Sequence, residues 1–123
     1  MARVISGLIL FLSVGVALAG EMPLKSVLNI DGVKVAFLTL KSHSLSISSS
    51  CKKGEVFDCA AYAAFKRRET APLNSAELEG GRNPGTLRCR KLGGEVKIAV
   101  AENLDETSVC KFSDGSIIDC GSL

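Results

Sequence analysis

The sequence predicts an α+β fold: one or more small antiparallel β-sheets, packed with one or two short helices and stapled by disulfides. Three observations predict it. Short runs alternate apolar and polar residues in both halves of the chain, as half-buried strands do. Two segments, near residues 58–68 and 83–92, carry helix-start signals. Five cysteines, Cys51, Cys59, Cys89, Cys110 and Cys120, fall within 123 residues, a density typical of small exported domains.

Export itself is read from the N-terminus. Arg3 precedes the apolar run Val4 to Leu18, and Ala17-Leu18-Ala19 supplies the small-x-small pattern that a signal peptidase pocket accepts. The run is shorter than the roughly 20 apolar residues a membrane span needs, and polar sequence follows it. Residues 1–19 are therefore expected to be a signal peptide cleaved near Ala19, leaving a secreted or periplasmic protein. Without a cysteine directly after that point no lipid anchor is expected, and no later segment is apolar for long enough to span a membrane. The remaining residues suffice for one domain or two very small modules sharing a core.

The charge balance is close to even. With 15 basic and 13 acidic residues the chain carries +2, or +1 once Arg3 leaves with the leader. That argues against a nucleic-acid partner, which rewards clustered Lys and Arg. The densest cluster, Lys66-Arg67-Arg68, reads as the solvated C-terminal end of a helix, where cations suit the dipole.

In residues 20–68, a loose leader to Ser26 precedes a strand at Val27–Ile30. Asp31-Gly32 is a hairpin turn into a second strand, Val33–Leu40. Leu45-Ser46-Ile47-Ser48 alternates as a third, its serine face expected to be wet. Asp58 is the expected cap of an alanine-rich helix over about 58–68, with Cys59, Tyr62, Ala63 and Phe65 on its apolar side. Residues 69–82 read as a connector holding at most a short helical turn at Ser75–Leu78, capped by Asn74.

Residues 83–123 carry the clearest signals. Asn83 caps a helix whose first position is Pro84, and Gly93-Gly94 ends it. Gly85, Cys89 and Leu92 share one side at helical spacing, and the absent side chain at Gly85 permits a close backbone approach. Glu95–Ala101 reads as a strand with Val96, Ile98 and Val100 inward. Two more strands, Ser108–Ser113 and Ser116–Cys120, are joined at Asp114-Gly115.

The ordered set Asn83-Pro84, Cys89, Gly93-Gly94 and Cys110-Lys111-Phe112-Ser113-Asp114-Gly115-Ser116 resembles the bacterial envelope domain of unknown function number 333, whose members carry a hemolysin label. The resemblance spans residues 83–123 and implies nothing about 20–82. Two departures stand out: family members carry a cysteine where this chain has Ile118, followed by a Glu-Trp pair, and this chain has no tryptophan. Cys120 lies two residues later, on the same strand face because strand side chains alternate with period two. Members are also frequently lipoproteins, which this chain is not read to be.

Register constrains the sulfur pairing. With Asp114-Gly115 as a two-residue loop, Cys110 faces Asp119 and Cys120 faces Val109, on opposite sides of the sheet and too far apart to bond. A three-residue loop or a bulge is expected to bring Cys110 opposite Cys120 instead. In the first case Cys89 bridges from the helix to one of the two, and Cys51–Cys59 is the natural second bridge. The odd cysteine is then a free thiol or an intermolecular link. Close C-x-x-C pairs of the kind zinc sites use are absent from the sequence.

No catalytic, cofactor-binding or metal-ligating set is expected. His43 is the only histidine; it stands between Ser42 and Ser44 with no acidic residue near it in sequence, and reads as an exposed loop residue. Asp105-Glu106 reads as solubilising, Asp114 as a turn former and Asp119 as a strand-end residue. No glycine-rich phosphate loop occurs. The expected function is a binding or structural module acting on an unidentified protein or envelope component, without a cofactor. The alternatives are a membrane-active protein, from the hemolysin label, and a hydrolase inhibitor.

Overall fold

A computed structural model describes residues 21–81 and 83–123. The leader read at residues 1–19 lies outside them. The elements in chain order are β1 (Leu24–Ile30), β2 (Val33–Leu40), β3 (Leu45–Ser48), β4 (Lys52–Lys53), β5 (Val56–Phe57), α1 (Ala60–Lys66), α2 (Ser75–Leu78), α3 (Pro84–Lys91), β6 (Glu95–Ala101), β7 (Glu106–Lys111) and β8 (Ile117–Asp119). Short 3-10 turns occupy Lys41–His43, Ser49–Cys51, Arg68–Thr70 and Cys120–Ser122.

Six strands close into an antiparallel barrel in the order β1-β2-β3-β8-β7-β6, while β4 and β5 form a separate ribbon. The three strands from residues 24–48 and the three from 95–119 thus stand as two consecutive blocks, joined at two seams into one sheet. β1 pairs with β6 through Ile30 and Ala99, and β3 pairs with β8 through Ile47 and Ile118.

The β3–β8 seam has that single backbone bridge, and serine side chains extend it. Ser48 Oγ accepts the Ile117 N–H at 3.0 Å, and Ser46 N–H donates to Ser122 Oγ at 3.0 Å. The serine face of β3, expected to be wet, is therefore turned inward: Ser48 is 2 % exposed and Ser46 is hydrogen-bonded to Thr39 across the strand at 3.0 Å. A closed barrel reverses the expectation, since alternate residues of every strand face an enclosed interior.

Two cores result. The barrel interior holds Ile30, Phe37, Ala99, Val109 and Ile117. The second core lies outside the barrel, where Leu45, Ile47, Cys110 and Ile118 meet Ala61, Ala64 and Phe65 of α1 and Cys89 of α3. On β6 the inward residue is Ala99, fully buried, while Ile98 is 51 % exposed. The expected face of Val96, Ile98 and Val100 is the outer one, and only Val96 reaches the helix-covered core.

α1 is shorter than its expected range of 58–68 and begins with Cys59 as N-cap, not Asp58; the Cys59 Sγ accepts the Tyr62 N–H at 3.2 Å. Ala61, Ala64 and Phe65 form its buried side, and Ala63 is exposed. Positions 61, 64 and 65 follow i, i+3, i+4 spacing, the stripe a helix buries. The basic end of α1 is engaged as well as exposed. Arg67 Nη2 donates to the Leu92 carbonyl at 3.2 Å, and the Arg68 guanidinium lies 4.1 Å from the Phe65 ring centroid.

α2 has the expected Asn74 cap, completed by Glu77 as a capping box. The connector is tied down. Arg88 donates to the carbonyls of Ala71 and Leu123, and Lys91 to the Pro72 carbonyl and the Glu77 carboxylate.

Candidate functional site

The motif residues of the C-terminal segment meet at one junction between α1, α3 and the β7–β8 hairpin. Asn83 Oδ1 accepts the Gly85 N–H at 2.8 Å and the Thr86 N–H at 3.4 Å, with Pro84 opening α3. Gly85 then lies against the last turn: a Cβ there would stand 1.9 Å from the Cys120 carbonyl oxygen. One helical turn later, Cys89 bridges to Cys110 on β7. Gly94 packs directly on that bridge, since a Cβ there would be 2.2 Å from Cys110 Sγ. Gly93, at φ +94°, takes the left-handed conformation that ends the helix. The Phe112 ring lies against Gly94 and is buried.

The hairpin turn caps α1 across space. Asp114 Oδ2 accepts the Ala60 N–H at 2.8 Å, and Ser116 Oγ accepts the Ala61 N–H at 2.9 Å. With Cys59 Sγ on Tyr62 N–H, three orphan donors of the helix start find partners. Asp114 Oδ1 in turn accepts from Ser116 N–H and Oγ. These bonds, the Ser116 hydroxyl foremost, hold the Asp114 carboxyl below its ordinary pKa by stabilising the charged form.

The hairpin register corrects the expectation. The loop has three residues, Ser113 to Gly115, closed by Phe112 N–H to Ser116 O at 2.9 Å, with Gly115 at φ +88°. Cys110 therefore faces Ile118, and Val109 faces Asp119. The three-residue loop moves the register in the sense opposite to the one expected to align Cys110 with Cys120.

The bridges are Cys51–Cys59 and Cys89–Cys110. Cys120 is a free, buried thiol, its pKa pushed up to about 11 by burial first and then by the Asp119 charge. A thiol held protonated is a poor nucleophile and a poor ligand. Among the described residues no group of three or more His, Cys, Asp or Glu side chains could hold a metal ion.

His43 gains the acidic neighbour it lacks in sequence. Ser42 Oγ bonds to Glu21 and, at 3.0 Å, to His43 Nδ1, and Glu21 Oε1 lies 3.8 Å from the same ring nitrogen. The contact with Ser42 holds the Glu21 carboxyl below its ordinary pKa. This is not a relay. A serine nucleophile needs the ring between hydroxyl and carboxylate, and here both lie at Nδ1 on an exposed turn.

The outer face of β1 and β6 forms a shallow groove. Val27 and Asn29 of β1 and Val100 of β6 line it; because β1 lies between β2 and β6, Lys34 of β2 stands on one side, and Glu102 and Leu104, just past β6, stand on the other. Separation in sequence hid this groove, since it joins a strand near residue 27 to a turn near residue 103. Comparisons with family models, with curated proteins and with solved structures find no match for this chain.

Proposed function

We propose that this protein is an exported, disulfide-stapled binding or structural module with no chemistry of its own. One observation carries the reading: the polar and sulfur groups gathered at the motif junction are engaged in holding the fold. Asp114 and Ser116 cap α1, four cysteines are bridged, and the fifth is buried. Two disulfides fit a protein outside the reducing cytoplasm, and no described helix is long and apolar enough to cross a membrane. The resemblance of residues 83–123 to the domain of unknown function number 333 belongs to the same proposal, because its motif residues converge on the Cys89–Cys110 junction.

Intact-mass and peptide mapping of the exported protein test it. The expected result is a chain beginning at Gly20 with two bridges and one thiol, and no turnover across a panel of hydrolase substrates. Five reduced thiols in the exported material, or a turnover abolished by His43→Ala in a folded protein, would overturn it.

A further inference from the structure

The β6–β7 and β7–β8 hairpins use the same three-residue turn. In the second, Phe112 N–H donates to Ser116 O, and Gly115 N–H to Phe112 O, both at 2.9 Å. In the first, Ala101 N–H donates to Asp105 O at 2.8 Å, and Leu104 N–H to Ala101 O at 2.9 Å. Even the side-chain bond repeats: Asn103 Oδ1 accepts Asp105 N–H as Asp114 Oδ1 accepts Ser116 N–H. The last loop position is left-handed in both, at φ 88° for Gly115 and φ 72° for Leu104.

That position favours glycine, and a leucine there is strained. The leucine is also 79 % exposed to solvent. The turn bond of its N–H needs no leucine, and a leucine here adds backbone strain without burying its side chain, so the use of that side chain lies outside the monomer. It lines the groove with Val27 and Val100, and the strand order β2-β1-β6 sets opposite charges on the two sides of that groove, Lys34 on one and Glu102 on the other. Neither charge has an ion-pair partner among the described residues.

We infer that this groove is a homodimer interface, in which Leu104 of each copy seats in the groove of the other. The charges select the partner. A uniformly anionic surface would meet Glu102, and a cationic one Lys34. A second copy turned about a two-fold axis along the groove sets Lys34 opposite the partner's Glu102, and Glu102 opposite the partner's Lys34. The same rotation carries the partner's Leu104 toward the Lys34 side, where the lysine stem offers apolar surface. The contact is isologous, so it closes at two copies and leaves no open end for a fibre.

The inference deepens the binding-or-structural reading and rests on it, but the two fail separately: a monomer with two bridges and no turnover would refute the dimer alone. Sedimentation equilibrium of the exported protein over a concentration series is the test. A monomer–dimer equilibrium that weakens with added salt is expected. Leu104→Gly should abolish association while leaving the melting temperature of the dilute monomer unchanged or higher, because glycine suits the turn. Lys34→Glu and Glu102→Lys should each raise the dissociation constant by roughly tenfold or more, through like charges opposed twice per dimer. The double variant should recover most of that loss. A wild-type mass that stays monomeric up to roughly 1 mM, a dimer indifferent to Leu104→Gly, a double variant no better than the single ones, or a different protein found seated on this face would each overturn the inference.

Discussion

Replacing Gly85 by alanine sets two effects of opposite sign against each other. On helix propensity alone the change should stabilise α3, by up to about 1 kcal/mol. Tertiary packing forbids it. The new Cβ would stand 1.9 Å from the Cys120 carbonyl oxygen and 2.6 Å from its carbonyl carbon, where ordinary contact begins at 3.4 Å. α3 and the final turn would have to separate by about 1.5 Å, and both are anchored. The Cys89–Cys110 bridge holds α3 one turn away, and Asp119 Oδ1 accepts the Gly121 N–H at 2.7 Å in the final turn. Because the opposing atoms are backbone, no rotamer change relieves the overlap. Overpacking of this kind costs about 1–3 kcal/mol. With the propensity gain set against the upper part of that range, a net loss of about 2 kcal/mol is expected. For a domain of this size that lowers the melting temperature by roughly 10 °C, readable by far-UV circular dichroism with the disulfides intact. An unchanged or raised melting temperature would refute the placement of Cys120 against α3.

Three further outcomes are expected. Asp114→Ala should lose about 1 kcal/mol, the worth of a helix cap. Since the folded carboxyl titrates below its unfolded value, that contribution is present above the unfolded pKa and disappears as pH falls through the folded one. Acid unfolding curves of wild type and variant should therefore converge below about pH 4, and a constant gap would contradict the capping role. Cys120 should resist thiol reagents at pH 8 until denaturant is added, then report one thiol per chain. Its raised pKa predicts stability retained at neutral pH and lost as pH climbs through about 11. Ser48→Ala should strand the buried Ile117 N–H, at a cost of about 1–3 kcal/mol, and hydrogen exchange at Ile117 should accelerate ahead of the other barrel amides.

Signals that act over a few residues are legible in the chain for α2 and α3, whereas α1 takes Cys59 and not Asp58 as its cap. The Asn83 cap, Pro84 at the first helical position, the Asn74 turn and the Gly93-Gly94 stop depend on backbone chemistry within four or five positions, and each stands where the spacing puts it. The need for a small residue at Gly85 was legible too, though not what it faces. Which face of a strand is buried is not fixed by neighbouring residues. Ser46 and Ser48 look solvent-directed in any open sheet and turn inward only because β3 closes on β8. Val96, Ile98 and Val100 make a sound apolar face that proves to be the barrel exterior. The β7–β8 register moved by one because Ser113 joined the loop, a choice linked to the bonds from Asp114 and Ser116 to α1, 54 and 55 residues away.

Of the candidate site, the cysteines and the motif residues were visible as a set, whereas the groove was not. The Glu21–Ser42–His43 contact and the Val27–Val100–Leu104 surface join residues far apart in the chain, and no short window contains them. What the sequence by itself determined are the start and stop of α3, the cap of α2, the approximate strand segments and the presence of sulfur staples, because capping, alternation and composition act through neighbouring residues. Tertiary structure alone decided which strand faces are inside, that Cys110 rather than Cys120 receives Cys89, and that Leu104 overlooks an apolar groove. Those outcomes follow from barrel closure, and closure is a relation between β1 and β6 and between β3 and β8, pairs separated by some seventy residues of chain.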